Sequence, residues 1–415
     1  MRLLVCPHDL AIGGSQINAI DLAAGAASAG HDVIVYGIPG PLTGYIAEKG
    51  LRFIPANGMW CRPAPTRIAE VAQICRRERI DLVHAYEWPT CLEAYYGALL
   101  LYKVPLLCTV LSMEVMPHVP TSVPLIVGTA DIGDDARRKR SGKVWVIEPP
   151  IDVERDNPQI DGSDYRRRLG AGPDDFLIVS VSRLALDLKL DALVRAIDAA
   201  DILAGSSRVK VALIGDGPAR EALEARALAV NQRHGREVVV LPGADLDPRA
   251  AYAAADLVVG MGSSALRALA IGRPLIVQGE RAFSEIFEPS TYDMFLRQGF
   301  YGLSDGEPGA GRLASQIRRL LDDPGWCAQL AQFGREAVVE RFSLQRALSL
   351  QLDIYRDVAA PPPAYRLTEA VNSARLSLLL EYVNHDPLAK RRKRRRDMEM
   401  LQAAGFGAWP PRHAG

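Results

Sequence analysis

Two α/β domains, each a doubly wound parallel sheet and the pair facing each other across a cleft, are what this sequence predicts. Three observations carry that expectation. Short apolar runs, of the kind buried on both faces of a sheet, alternate with amphipathic stretches through most of the chain. The alternation halts once, in the Pro-, Asp- and Gly-rich stretch "PPIDVERDNPQIDGSDYRRRLGAGPDD", and then restarts. At 415 residues the chain is longer than one core commonly spans.

Taken in order, "RLLVC", "DVIVYG", "LRFIPA", "DLVHAY", "PLLCTV", "PLIVGT" and "VWVIEP" read as strands of the first domain. "SQINAIDLAAGAASAG", "PTRIAEVAQICRRER" and "PTCLEAYYGALLL" read as helices between them. After the linker, "FLIVSVS", "VKVALIG", "VVVLPG", "DLVVGM" and "PLIVQG" are the strands of the second domain. Its helices are "KLDALVRAIDAADILA", "AREALEARALAV" and "PRAAYAAA", with further helical segments closing it between Ala310 and Val358. The expected boundaries are 1–155, 156–358 and a tail, 359–415. The tail holds a proline run, an amphipathic helix over Leu367 to Val383, and seven consecutive basic residues, Lys390 to Arg396. Open parallel sheets bind ligands at the carboxyl ends of their strands, so the site is expected there.

Composition narrows the class. Net charge is zero, so no global field argues for nucleic acid. The six cysteines are scattered without a Cys-x-x-Cys pair, which reads as reduced thiols in a cytoplasmic protein and not as a disulfide framework or zinc site. "MRLLVCPHDL" reads as a first strand and not as a signal peptide. The longest apolar region, Tyr95 to Val110, is broken by Lys103 and Pro105, so no segment is expected to span a membrane.

Six stretches are candidates for chemistry. After the first strand, Gly13 and Gly14 allow close backbone approach and Ser15 is placed to cap the next helix, whose amino end suits an anion or a sugar hydroxyl. The tight G-x-G-x-x-G of a dinucleotide site is absent, which argues against a dehydrogenase. Arg183 and Lys189 follow the first strand of the second domain and can neutralise a diphosphate without a metal; a solvated helix start is the plain alternative. Gly215 and Gly217 form a turn that Arg220, in place of a third glycine, marks as structural. Gly260 and Gly262, with Ser263 as cap and Ser264 as donor, make a glycine loop opening a helix, with Arg267 expected in its first turn and facing a nucleotide; an arginine that points to solvent or pairs with a surface acid is the plain alternative. His84 and Glu87 sit near a strand end; a lone histidine is more often structural. The basic run reads as a solvated charge block or, beside an amphipathic helix, as a dock for anionic lipid.

In this order the pieces resemble the two-domain, Rossmann-like retaining glycosyltransferases of the GT-B fold, the large family 4 with many bacterial cell-envelope enzymes. The resemblance covers roughly Met1 to Val358: "GGSQ" with "GHDVIVYG", then "DLVHAY", "SRL…K", "GDGP", "LPG", "AAADLVVGMG", "ALRALAIGRPLIV" and "ERFSL…IYRD". It implies a UDP- or GDP-sugar co-substrate in the second domain, an acceptor in the first, and neither metal nor cofactor. Arg183 and Lys189 match the pair gripping the diphosphate. Gly260 to Ser264 match the loop beside phosphates and sugar, and Gly14 the amino-terminal glycine loop. His84 matches a strand that turns a polar residue to the acceptor, and backbone near Gly243 a base contact. Two family glutamates are replaced, by Val259 and Arg267, and no histidine follows "PLLCTV" until His118.

The expected activity is therefore metal-independent transfer of a sugar with retention, with His84, Glu114 or Glu280 as candidates to replace the missing acids. The alternative is a weakened GT-B protein that binds a nucleotide sugar or serves as a partner subunit. An epimerase would need acid/base carboxylates that this sequence lacks at the expected positions. The expected location is cytoplasmic, peripheral to the inner membrane face if the basic run touches lipid.

Overall fold

The computed structural model describes residues 1–58, 61–304 and 309–403. Its first elements are β1 (Arg2–Cys6), α1 (Gly14–Ser28), β2 (Asp32–Gly37), α2 (Thr43–Glu48), β3 (Arg52–Pro55), α3 (Pro65–Glu78), β4 (Leu82–Tyr86) and α4 (Glu87–Ala94). A π-helical turn, Tyr95–Leu100, prolongs α4 before β5 (Leu106–Val110), β6 (Leu125–Val127), α5 (Ala130–Lys139) and β7 (Val144–Val146). Then come α6 (Ser163–Arg168), β8 (Phe176–Val181), α7 (Leu190–Ala204), β9 (Val209–Ile214), α8 (Arg220–His234), β10 (Val239–Gly243), α9 (Arg249–Ala254) and β11 (Leu257–Gly260). The chain ends in α10 (Ser263–Ala270), β12 (Leu275–Gln278), β13 (Ser284–Ile286), α11 (Tyr292–Gln298), α12 (Gly309–Asp322), α13 (Pro324–Arg341), α14 (Leu344–Ala359), α15 (Leu367–His385) and α16 (Pro387–Ala403).

Two compact units result. The first joins Met1–Pro150 to Phe342–Ala389. Its sheet is parallel throughout, in the order β3-β2-β1-β4-β5-β6-β7. Successive residues of a strand point to opposite faces, and both faces here are covered. Leu3 and Val5 enter the layer made with Ala19, Ile20 and Ala23 of α1 and Ile354 of α14. Leu4 and Cys6 enter the layer made with Val71 and Ile74 of α3 and Tyr95. That double burial is why the strands are unbroken apolar runs.

The second unit is built mainly from Ile151–Arg341. Its sheet runs β10-β9-β8-β11-β12-β13, parallel except that β13 pairs antiparallel with β12. Ile178, Val211, Leu257 and Ile276 meet Leu193 and Ile197 of α7 and Leu313 and Ile317 of α12 in one core. Strand β13 reads Ser-Glu-Ile, with no apolar run to mark it in the sequence.

The boundaries differ from 1–155, 156–358 and 359–415 in two places. Helix α14, expected to close the second domain, belongs to the first unit. It packs on α1 so closely that a Cβ on Gly25 would lie 2.7 Å from Leu348 Cδ2. Nor is the tail a free appendage, because α15 is tied to the first unit. Tyr95 donates to the Arg366 carbonyl at 3.1 Å and Tyr96 to the Ala370 carbonyl at 2.8 Å. Thr121 donates to Glu369 at 2.6 Å. The proline- and glycine-rich end, 404–415, lies outside the described residues.

Candidate functional site

The carboxyl end of β8 leads into the loop Ser182–Lys189, which delivers two cations. Arg183 is exposed and Lys189 is the half-buried N-cap of α7. Neither side chain has a hydrogen-bond or ion-pair partner among the described residues. Lys189 therefore adds its charge to the positive end of a helix dipole, an unfavourable position without an anion. Burial, with Arg183 nearby, lowers its pKa from 10.5 to about 8.

The glycine turn after β9 holds this loop in place. The Leu184 amide donates to the Asp216 carbonyl and the Ala219 amide to the Leu184 carbonyl, each at 2.9 Å. Gly215 and Gly217 have φ of 151° and 154°, which L side chains rarely adopt. A Cβ would meet the Ser182 carbonyl oxygen at 1.9 Å from Gly215, and that of Leu184 at 2.5 Å from Gly217. The turn and the cation loop are thus one packed piece of backbone. Gly243, at the end of β10, joins it by accepting from the Gly215 amide at 2.9 Å. Arg220 reaches back to the Leu241 carbonyl at 3.2 Å and is structural.

The β11–α10 turn departs from expectation. The N-cap of α10 is Gly262, at φ 63° and ψ −137°, with no side-chain cap. Ser263 is the first helical residue and caps nothing. Ser264 accepts from the buried Tyr252 hydroxyl at 2.9 Å, which leaves its own proton to donate. Gly260 ends β11, where a Cβ would come within 3.2 Å of Ser264 Oγ. Arg267 lies in the last turn of α10 and not in the first, so the dipole favours its charge there. Its Nε pairs with Asp156 Oδ2 at 3.8 Å. Burial pushes the Asp156 carboxyl up, against the pull of Arg267 and Arg249. Val259, the other replaced position, is buried inside β11 as part of the core.

Glu280 follows β12 and accepts from the Tyr301 hydroxyl. The turn beyond it has two left-handed residues without glycine, Arg281 at φ 51° and Ala282 at φ 64°. Asp191 and Arg195 of α7 brace that turn. Arg195 donates to the Gly279 carbonyl at 2.8 Å and to Gln278 Oε1 at 3.0 Å, and the Ala282 amide donates to Asp191 at 3.1 Å. Sequence reading missed this brace and Asp156; the i, i+4 spacing of Asp191 and Arg195 was the one visible sign.

In the first unit, Gly13 is the N-cap of α1 and Gly14 its first residue. Ser15 does not cap it; its hydroxyl is buried without a partner. A Cβ on Gly13 would collide with Gln16 Oε1 at 2.4 Å. Gln16 donates to Asp9 at 2.6 Å and lies 3.1 Å from His8 Nε2, so "PHD" right after β1 forms a polar cluster that the sequence reading passed over.

His84 is not an acceptor-facing residue. It is fully buried, with Nδ1 2.8 Å from the Tyr355 hydroxyl and Nε2 2.7 Å from Thr109 Oγ1. Burial drives its pKa from 6.5 to about 3, so it stays neutral. Glu87, at φ 66°, pins the loop after β5, accepting from the Leu111 amide at 2.9 Å, the Ser112 amide at 3.1 Å and the Ser112 hydroxyl at 2.7 Å. Glu114 stands exposed on that same loop without a partner among the described residues. His118 is buried beneath α15, its carbonyl accepting from Ser373 at 2.8 Å.

Among the described residues, no group of three or more His, Cys, Asp or Glu side chains is placed to hold a metal ion. No helix among them is long and apolar enough to cross a membrane.

Residues 12–121 match the family described as Glycosyltransferase Family 4, and residues 175–323 match Glycosyl transferases group 1. An uncharacterised glycosyltransferase of Methanocaldococcus jannaschii is 21% identical over 385 residues, which span 83% of this chain and 94% of the relative. Among solved structures, a glycosyltransferase from Rickettsia africae superposes with TM-score 0.71 at 16% identity, covering 86% of this chain and 98% of that one. HepE of Anabaena, in complex with UDP, superposes with TM-score 0.67 at 17% identity, covering 86% of this chain and all of its own. The same Anabaena protein is also solved with UDP-glucose. At these identities the structures establish a shared fold.

Proposed function

The chain belongs to the glycosyltransferases that join a Family 4 segment to a group 1 segment on the GT-B fold, and from that premise we propose that it moves a sugar from a UDP-sugar to an acceptor hydroxyl, with retention and without a metal. The observation that carries this reading is the pair of unpartnered cations, Arg183 and Lys189, at the amino end of α7. Two positive side chains and a helix dipole converge where a diphosphate would balance them. In the step, the bond from the anomeric carbon to the diphosphate oxygen breaks as the bond to the acceptor oxygen forms on the same face. The acceptor proton passes to the leaving phosphate oxygen. Arg183 and Lys189 stabilise the charge that develops there. UDP is favoured over GDP because HepE, of like fold, binds UDP and UDP-glucose. Glu280, held by Tyr301, is the carboxylate we assign to the sugar, and Gly262 to Ser264 the turn beside the phosphates. The acceptor is a glycan, lipid or small-molecule hydroxyl.

Thermal denaturation with UDP, GDP, ADP and their sugars tests the donor half. A ligand that binds only the folded chain raises the melting temperature. UDP and a UDP-sugar should raise it; the absence of any shift across the panel overturns the reading.

One observation favours a second reading, a binder of nucleotide sugar without transfer. Val259 is core and Arg267 is engaged with Asp156, so neither family carboxylate has a direct substitute at its own position. Release of UDP from a bound UDP-sugar, with or without acceptors, separates the two.

A further inference from the structure

We propose that α15 docks on an anionic lipid membrane, with charge supplied by the basic run that follows it in sequence. The argument is independent of the reaction assigned above. It begins with the way α15 sits on the first unit, because the helix is bound by its small and polar side. Ala370, Ser373 and Ser377 are its buried residues. Ser373 donates to the His118 carbonyl at 2.8 Å, Thr121 donates to Glu369 at 2.6 Å, and the Tyr95 and Tyr96 hydroxyls hold its first turn. The π-helical turn at Tyr95–Leu100 lets these two consecutive tyrosines reach the same helix.

With that side anchored, the rest of the helix faces outward, and one strip of it is apolar. Leu367, Val371, Leu378 and Tyr382 are 69%, 70%, 73% and 77% exposed. At 100° per residue the four fall within about 60° of the helix circumference, so they form one stripe along its length. A helix free to roll would turn this stripe inward; the bonds on its anchored side forbid it. Four large apolar side chains held in water along one line require a partner.

Charge says which partner. Residues 359–415 carry ten Lys and Arg against five Asp and Glu, a net +5 in a chain whose total is zero. Seven of the ten are consecutive, Lys390 to Arg396, on α16. Of these, Arg391, Arg392, Arg395 and Arg396 are described and exposed; the side chains of Lys390, Lys393 and Arg394 lie outside the description. Seven consecutive cations suit a fluid sheet of anionic headgroups, and an apolar stripe followed in sequence by a basic run is the composition of an interfacial anchor. A nucleic acid would satisfy the cations and leave the stripe in water.

Cosedimentation of the full chain with phosphatidylcholine vesicles, with and without phosphatidylserine, tests this. Binding should require phosphatidylserine and fall as salt is raised. Leu378→Glu with Tyr382→Glu should weaken it by at least about tenfold, as should Arg391→Gln with Arg392→Gln, Arg395→Gln and Arg396→Gln. Both variants should keep the melting temperature and the UDP-induced shift of the native chain. Three results overturn the proposal: no phosphatidylserine-dependent binding at low salt; binding unaffected by the Leu378 and Tyr382 changes; or a single-stranded oligonucleotide bound more tightly than the vesicles. A dimer in sedimentation equilibrium that Leu378→Glu converts to monomer also overturns it, by giving the stripe to a second copy.

Discussion

Arg267 and Asp156 stand 3.8 Å apart as an ion pair, the arginine from the last turn of α10 and the aspartate from the segment leading into β8. Asp156 is buried and braced by backbone: its amide donates to the Asp152 carbonyl at 2.8 Å and its carbonyl accepts from Arg335 at 3.0 Å. The cation that replaces a family glutamate thus has an acid of its own. The two substituted positions also differ in kind, since Val259 is core and Arg267 is half-exposed.

Arg267→Glu should therefore act first on stability. It removes the cation that offsets a buried carboxylate and adds a like charge. Arg267→Gln should cost about 1–3 kcal/mol, the range for leaving a buried polar group without its partner. A double-mutant cycle with Asp156→Asn should return a coupling of about 0.5 kcal/mol or more. Additive effects would mean that the pair is a solvent contact, and would return Arg267 to the nucleotide.

Lys189 should behave in the opposite manner. Its charge is partly desolvated and unpaired, so Lys189→Ala should leave the ligand-free protein no less stable. UDP affinity should fall by about tenfold to a hundredfold, as expected when a charged hydrogen bond is lost. The pH dependence follows from its pKa of about 8. A bound diphosphate favours the charged amine, so affinity should decline as pH rises past about 8, with proton uptake on binding there. For the ligand-free chain the sign is reversed. Between about 8 and 10.5 the unfolded chain holds the proton that the folded chain has lost, so stability should rise with pH across that window. Calorimetry in two buffers of different ionisation enthalpy reads the proton; a pH-independent affinity in Lys189→Ala attributes it to this residue.

His84 should matter to folding and not to turnover. Gln351 donates to the Tyr355 oxygen at 2.9 Å, so the Tyr355 proton turns to His84 Nδ1 and the ring donates through Nε2 to Thr109. His84→Leu strands Tyr355 and Thr109 and should cost about 1–3 kcal/mol for each group left unsatisfied. UDP affinity of the folded variant should match that of the native chain. Because the folded pKa is about 3 and the unfolded value 6.5, the unfolded chain takes the proton first, and stability should fall with pH below about 6.5. His84→Leu should flatten that part of the acid limb. A large loss of turnover with unchanged stability would return His84 to the site.

The fold was legible where burial repeats along the chain. Twelve strands declare themselves as apolar runs, most of them buried, and β13, Ser-Glu-Ile, does not. The position of Arg183 and Lys189, between the end of β8 and the start of α7, was legible from the apolar run that precedes them. What was hidden depends on partners remote in sequence: His84 and Tyr355 are 271 positions apart, and no local pattern joins them. The placement of Arg267 was misread for a related reason. One residue of difference in where α10 begins shifts every later side chain by about 100° around the axis, and the glycine cap at Gly262 sets that start.

The remaining prediction concerns the backbone beneath the cations. Gly215 has φ 151°, and a Cβ there would stand 1.9 Å from the Ser182 carbonyl oxygen. Gly215→Ala can be accommodated only if the Ser182–Leu184 segment moves, because the rest of the turn is tied to β10 through the Gly243 carbonyl. That movement carries Arg183 with it and strains the Leu184–Asp216 and Ala219–Leu184 bonds. The change should thus lower the melting temperature and weaken UDP binding together, although Gly215 has no side chain to touch a ligand. Gly235→Ala is the control. Gly235 also has positive φ, at 62°, but nothing lies within 4 Å of its Cβ position. It should pay the conformational cost alone, about 1 kcal/mol, and leave UDP affinity unchanged. Equal losses of affinity in the two variants would show that general destabilisation, and not the position of Arg183, sets nucleotide binding.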